Sequence, residues 1–221
     1  MYYAIIGDII QSKELANRME IQTKLNSILN EINKRYADEI AANFIITLGD
    51  EFQGLLSSPE NLIDIIDLIK FYLHPIKVRF GIGIGEINTE INREMAIGAD
   101  GPAYYFAREK IEEIKMQKKS KMSSTADIKL KAYSNETAVD LINSNFCLCQ
   151  FVEDKWTDKQ RELIKEMLFA KKSQREVGEK LGVVQSSIQR RLKSSGYYDY
   201  VYCRETIKKS IINIWGSCNG E

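Results

Sequence analysis

Ile45-Ile46-Thr47-Leu48-Gly49-Asp50-Glu51-Phe52-Gln53-Gly54-Leu55-Leu56 is two apolar runs of strand length around a Gly-Asp pair, the pattern of a β-hairpin closed by a tight turn. The turn is expected to present Asp50 and Glu51 at an exposed tip. Upstream, Tyr2 to Gly7 is a second buried-strand pattern, and it too ends in an acid, Asp8. Carboxylates at two strand ends can hold magnesium or manganese, ions that take oxygen ligands and keep waters for a phosphate-bearing ligand. The same residues also have a plainer reading, because Gly-Asp is a common turn and a strand-end Asp often caps the next helix.

Working outward, Ser12 through Asp38 places Leu15, Met19, Ile21, Leu25, Ile28, Leu29, Ile32 and Tyr36 at helical spacing, which predicts one long amphipathic helix across a sheet. Pro59 opens a second helix, with Leu62, Ile63, Ile65, Ile66, Leu68, Ile69, Phe71 and Tyr72 spread over so wide a face that it must be largely buried. Lys77 to Glu86 then alternates strictly, with Gly81, Gly83 and Gly85 on one face. A helix or a ligand must approach that face closely. The succession strand, helix, two strands, helix, strand predicts an α+β fold with a ferredoxin-like sheet and helices on one face. Gly98-Ala99-Asp100-Gly101-Pro102 is a glycine-rich turn opening a helix over residues 103–116, whose first-turn amides offer an anion site. Lys115 to Met122 reads as a solvated basic loop, Ile128 to Tyr133 as a strand and residues 135–144 as a helix.

The 221 residues carry 31 basic and 31 acidic side chains, but unevenly. Residues 1–154 hold 17 Lys and Arg against 23 Asp and Glu, and residues 155–221 hold 14 against 8. A +6 unit joined to a −6 unit implies different partners for the two parts. The division is placed at a first domain of 1–150 and a second of 155–221. No apolar run reaches the roughly 18 to 20 residues of a membrane span, and the first residues lack a basic leader, so a cytoplasmic protein is expected. Cys147, Cys149, Cys203 and Cys218 have no zinc-ligand spacing. The single histidine, His74, precedes Pro75 at the end of an apolar helix, a place for capping or packing rather than catalysis.

In the C-terminal part, Thr157 and Gln160 form a capping-box pattern ahead of a helix with Leu163, Ile164, Met167 and Leu168 on one side. Val177, Leu181, Val183, Ile188 and Leu192 then outline two short helices, the first ended by Gly182. This stretch resembles the helix-turn-helix of bacterial transcription factors. Its second helix, about residues 185–194, is expected to expose Gln185, Ser186, Ser187, Gln189, Arg190, Arg191 and Lys193, side chains suited to base edges and phosphates of DNA. A helical hairpin that only packs on the first domain is the alternative. Tyr197 to Arg204, rich in β-formers, is expected as a wing or hairpin, followed by a helix from Thr206 to Trp215 that docks back or dimerises.

Four segments together carry a further resemblance: Asp8-Ile9, Thr47-Leu48-Gly49-Asp50, Val78-Arg79-Phe80-Gly81-Ile82-Gly83-Ile84-Gly85-Glu86 and Ile97-Gly98-Ala99-Asp100-Gly101-Pro102-Ala103. Over about residues 1–133 they are similar to the catalytic domain of class III nucleotidyl cyclases, and the Gly-Asp-Glu-Phe string is similar to diguanylate cyclases. The chain as a whole resembles the SatD family of small bacterial proteins. The cyclase resemblance implies Asp8 and Asp50 as metal ligands with the Ile9 carbonyl nearby, and a nucleotide near Gly49, Glu51, Gly98, Asp100, Gly101 and Arg108. Ile46 stands where the cyclases have a purine-reading lysine, and Tyr105 and Glu109 stand where they have the Asn and Arg that steady the phosphoryl group. Arg108 is one position off, about 100° round a helix. The sequence thus leads to a DNA-binding regulator with a metal- and nucleotide-sensing, cyclase-like domain; the resemblance to cyclase palms and DNA-binding domains, which usually work as dimers, implies a homodimer. An enzyme on nucleoside triphosphates and a protein-interaction module are the alternatives.

Overall fold

The Gly49-Asp50 turn joins β2 (Ile40–Leu48) to β3 (Glu51–Leu56), with Gly49 at φ 65°, a backbone state that costs glycine nothing. These coordinates come from a computed structural model that describes residues 1–11, 17–94, 96, 98–117, 126–170 and 173–216. Ser12 and Leu15 of the expected first helix, Ile97 of the glycine-rich turn, residues 118–122 of the basic loop, and Cys218 lie outside the described residues.

With β1 (Tyr2–Ile9), β4 (Val78–Gly85) and β5 (Ile128–Ala132), the hairpin forms a five-stranded sheet of order β2-β3-β1-β4-β5. β1 runs antiparallel to both β3 and β4, and β5 runs parallel to β4. The first four strands thus have the ferredoxin-like order, and β5 extends the sheet at the β4 edge.

The strand alternation sorts two apolar layers. Tyr3, Ile5, Phe52, Phe80 and Ile82 pack with α1 (Arg18–Arg35) and α2 (Leu62–Leu73) on one face. Ala4, Ile6 and Leu55 pack with α3 (Pro102–Gln117) on the other. Helices therefore cover both faces, not one. The glycine track explains why: a Cβ on Gly83 would overlap the Ala103 carbonyl, and one on Gly81 the Ala107 carbonyl. The close approach anticipated over Gly81, Gly83 and Gly85 is made by a helix backbone.

Three further expectations are corrected. Met19 is 81% exposed, so the buried stripe of α1 begins later, at Leu25. The helix over 135–144 continues to Glu153 as α4 (Glu136–Glu153), burying Ile142, Phe146 and Cys149. Tyr197 to Arg204 is not a hairpin but the first half of α8 (Tyr197–Trp215). Tyr200, Arg204, Ile207, Ile211 and Trp215 are its buried side, and packing at helical spacing overrides the β-preference of the individual residues.

Between α4 and α8 lie α5 (Asp158–Phe169), α6 (Gln174–Leu181) and α7 (Gln185–Ser194). The Thr157–Gln160 capping box opens α5, a second one from Ser173 to Glu176 opens α6, and left-handed Gly182 closes α6. The C-terminal helices share a core with the sheet: Trp156, Leu163, Val177, Leu192, Ile211 and Trp215 belong to the same apolar cluster as Tyr3 and Ile5. Buried polar contacts reinforce the joint. Arg204 grips Asp67 of α2 with two nitrogens, Tyr200 donates to Glu153 at 2.8 Å, Lys70 lies 2.9 Å from Glu153, and the Tyr3 hydroxyl donates to the Trp215 carbonyl at 2.6 Å. His74 caps α2 and sits 3.6 Å from Asp158.

Replacing Gly83 by Ala must push α3 off the sheet, so a loss of about 1 to 3 kcal/mol of stability is expected in urea unfolding; an unchanged midpoint would show that α3 is not seated on the glycine track.

Candidate functional site

Antiparallel register places Asp8 directly opposite Glu51 on one side and Arg79 on the other. Directly paired residues project to the same face, and that face is the one α3 crosses. Asp8 is 7% exposed and Glu51 9%, so two carboxylates are buried at one end of the sheet. Neither is bare. Arg79 donates from Nη1 to Asp8 Oδ2 at 2.6 Å, and Lys115 Nζ, from the last turns of α3, stands 3.4 Å from Asp8 Oδ1. Arg108, two helical turns before Lys115, grips Glu51 with both guanidinium ends, Nη2 to Oε1 at 2.7 Å and Nη1 to Oε2. A fork of this kind is the strong form of a charge-assisted hydrogen bond.

The hydrogen bonds to Glu51 raise the Arg108 pKa. Burial works against the Lys115 ammonium, but Glu112 and Asp8 outweigh it and raise its pKa. Both stay cationic. The side chains of Arg108 and Lys115 are 42% and 30% exposed, above carboxylates at 12% and 10%. The Nε of Arg79 is buried with no hydrogen-bond partner among the described residues. Three cations thus gather over the two buried acids, and the outer side of Lys115 is shared with the exposed Glu112 carboxylate at 3.1 Å. A fourth, Arg18, lies at the hairpin: a Cβ on Gly49 would come 2.5 Å from its Nη2. Gln22 donates to the Gly49 carbonyl at 2.5 Å, and the Ile9 amide donates to the Asp50 carbonyl at 3.0 Å, which tie the turn to α1 and to the end of β1.

Of the residues singled out from sequence, Asp8, Ile9, Gly49, Asp50, Glu51 and Arg108 come together at this end. Glu51 is not at the tip; it begins β3 and faces α3, so the acid paired with Asp8 is Glu51, and Asp50 holds the turn. Gly98, Asp100 and Gly101 lie elsewhere. Gly101 packs on Glu86, where a Cβ would come 2.7 Å from its carbonyl oxygen, and the Asp100 carbonyl accepts from Asn88 at 2.8 Å. Glu86 follows Gly85, the partner of Tyr2, so this turn sits about 20 Å along β4 from Arg79. Arg79 and Lys115 were missed. Arg79 had a readable signal, because it alternates onto the same face as Gly81, Gly83 and Gly85.

On α7, Gln185, Ser186, Gln189, Arg190 and Lys193 are exposed, Ser187 and Arg191 are half-buried, and Ile188 and Leu192 are buried. The helix packs on α5, α6 and α8, which leaves this polar side free. Among the described residues no helix is long and apolar enough to cross a membrane.

The sequence pattern of the SatD family matches residues 2–211. The chain belongs to the SatD family. No curated protein matches it. Among solved structures, this SatD-family protein is similar to a bacterial light-regulated adenylyl cyclase, at 16% identity over 58% of this chain and 42% of that one, TM-score 0.38. It is also similar to the guanylate cyclase domain of RhGC from Catenaria anguillulae in complex with GTP, at 15% identity over 50% and 71% of the two chains, TM-score 0.32. A third is the catalytic core of a rhodopsin-guanylyl cyclase with converted specificity in complex with ATPαS, at 16% identity over 49% and 69%, TM-score 0.32. The SatD-family chain spans about two fifths of the length of the first of these. At these scores the overlap is too loose for any residue to be carried across.

A resident magnesium or manganese ion does not fit the residues as arranged. The Asp8 carboxylate is already shared between Arg79 and Lys115, and among the described residues no group of three or more His, Cys, Asp or Glu gathers to hold a metal. A divalent cation here would have to displace Arg79 and Lys115 from Asp8 and Arg108 from Glu51. In metal-free buffer with a chelator, Asp8→Asn is expected to lower stability by roughly 3 kcal/mol, because it leaves Arg79 buried without its counter-charge. A neutral or stabilising effect in the same denaturation experiment would show a carboxylate held apart for a metal.

Proposed function

We propose that this SatD-family protein binds a nucleotide through its phosphates at the Asp8 end of the sheet and does not convert it to a cyclic product. The observation that carries this reading is the convergence of Arg79, Arg108 and Lys115 over two buried carboxylates. Buried ion pairs are a weak source of stability, since desolvation offsets their attraction. A cluster of them at a sheet end is instead a means of holding side chains in place for a ligand. Asp8 and Glu51 fix the angle of the cations, and the exposed flanks of Arg108 and Lys115 meet phosphate oxygens, which guanidinium and ammonium groups recognise by shape and charge. Arg18, beside the Gly49 turn, lies at the same end.

Turnover is argued against by the three side chains that stand, in the sequence resemblance to cyclases, where those enzymes have the purine-reading lysine and the Asn and Arg at the phosphoryl group. Ile46 packs against the apolar core, the Tyr105 hydroxyl donates to Asp100 at 2.5 Å, and Glu109 takes Lys131 at 2.5 Å. None supplies the purine contact or the charge that phosphoryl transfer needs at its transition state. Calorimetric titration of the full chain with ATP or GTP is expected to show saturable binding that Arg108→Ala with Lys115→Ala weakens at least about tenfold, or about 1.4 kcal/mol. Unaltered affinity in that double variant, with an unaltered melting profile, would refute the site. Cyclic nucleotide formation abolished by Asp50→Ala would replace binding by catalysis.

A second reading is favoured by the free polar side of α7, on a helix that follows a left-handed glycine turn as in a DNA-reading helix-turn-helix. If α7 enters a major groove, the full chain binds duplex DNA with an affinity that falls steeply with salt, as counterions are released from the phosphates. Arg190→Ala with Arg191→Ala should then cost on the order of 1 to 3 kcal/mol for each lost contact in a gel-shift titration. Absence of any shift at low salt would leave α7 as a packing element.

A further inference from the structure

Cys149 and Cys203 meet across the contact between α4 and α8. Cys149 is 4% exposed and Cys203 is half-buried, and both are free thiols. Cys203 Sγ donates to Asn145 Oδ1 at 3.3 Å, and Asn145 stands one turn before Cys149 on the same side of α4. Cys203 Sγ also stands 3.9 Å from the Asn145 carbonyl, which points along α4 toward residue 149, so the two thiols lie side by side. The α8 cysteine is thus seated on α4 between positions 145 and 149, with its sulfur against the second sulfur. Among the described residues no metal-holding cluster includes this pair, and neither thiol belongs to the site at the Asp8 end.

The surroundings treat the two sulfurs differently. The interaction with Cys149 lowers the Cys203 thiol to about 7; burial opposes this, and the adjacent Arg204 guanidinium adds a smaller lowering. Donation to Cys203, together with burial, pushes the Cys149 thiol well up. Cys203 is the less buried of the two thiols and the one whose pKa is lowered, which suits it to attack, with buried Cys149 as the resolving partner.

We propose that Cys149 and Cys203 are a hydroperoxide-reactive dithiol that closes to a disulfide between α4 and α8. The Cys203 thiolate attacks one peroxide oxygen; the O–O bond breaks, its electron pair leaves as hydroxide, and Cys203 becomes a sulfenic acid. The Cys149 sulfur then attacks the sulfenic sulfur, the S–S bond forms, the S–O bond breaks, and the departing hydroxide takes the Cys149 proton as water. The two sulfurs together lose two electrons and the peroxide gains two. The product ties α4, which packs along β5, to α8, whose next residue Arg204 grips Asp67 of α2, so oxidation fastens the joint between the sheet and the C-terminal helices.

The test treats the full-length protein, carrying Cys147→Ser and Cys218→Ser, with a small excess of hydrogen peroxide and maps peptides without reduction. A Cys149–Cys203 cross-link, two hydrogens lighter and reversed by dithiothreitol, with a raised melting temperature, is the expected result. Cys149→Ser should halt the reaction at a Cys203 sulfenic acid that dimedone traps, and Cys203→Ser should leave Cys149 unmodified. The proposal is overturned if Cys203 proceeds to the sulfinic acid while Cys149 stays reduced, or if both thiols survive exposure that oxidises glutathione in the same tube.

Discussion

The backbone of α3 lies so close to β4 that only glycine fits beneath it. The Ala103 and Ala107 carbonyls occupy the space where side chains of Gly83 and Gly81 would stand, and the Ala103 amide would lie 2.9 Å from a Cβ on Gly85. Three contacts in a row fix the height of the helix, its direction along the strand and its rotation. Its rotation is what matters for the site. With Ala103, Ala107 and Ile111 turned into the sheet, Arg108 and Lys115 fall beside the strands at the Asp8 end, where Glu51 and Asp8 receive them. Charges alone could not set this geometry, since long cationic side chains in water lose much rotamer freedom for little gain. The glycine track positions them first, and the buried carboxylates then hold them.

A different interaction holds the C-terminal helices. Arg204 of α8 and Asp67 of α2 are both buried, and burial pushes the Asp67 carboxyl up while the Arg204 charge opposes it. Such a pair gives little net stability, but removal of either member strands the other, so it specifies position. It sits in an apolar frame of Phe146, Ile207, Ile211 and Trp215, which provides the driving force. β1 is touched by both systems, through Tyr3 bonded to Trp215 and through Asp8 bonded to Arg79 and Lys115. The two ends of one strand thus report on the C-terminal helices and on the α3 site.

The site was half legible from sequence. Asp8, Asp50 and the glycine turn were readable because strand ends and hairpin turns have local signatures. Glu51 lies not at the tip but at the first position of β3, because one position along a chain decides which face of the sheet a side chain takes. Arg79 alternates with Gly81, Gly83 and Gly85 and so lies on the α3 face, but its role beside Asp8 depends on the pairing of β1 with β4. Gly98, Asp100 and Gly101 were grouped with Asp8 because glycine-rich helix starts bind anions elsewhere. The direction of α3 puts that start at the far end of β4, with Lys115 at the near end.

What the residues determined unaided are the features governed by near neighbours in the chain: the strand and helix order through β5, the hairpin turn, the Thr157–Gln160 capping box, the end of α6 at Gly182, and the need for something to lie close on the glycine face. Tertiary structure decided the rest. It put α3 rather than a ligand on that face and drew Tyr197 to Arg204 into a helix by burying every third or fourth side chain. It also matched Asp8 with Glu51 and set Cys203 against Cys149. The seat of α3, the Asp8–Glu51 match and the meeting of α4 with α8 depend on register and on contacts between residues far apart in sequence, where the favourable burial belongs to no single segment.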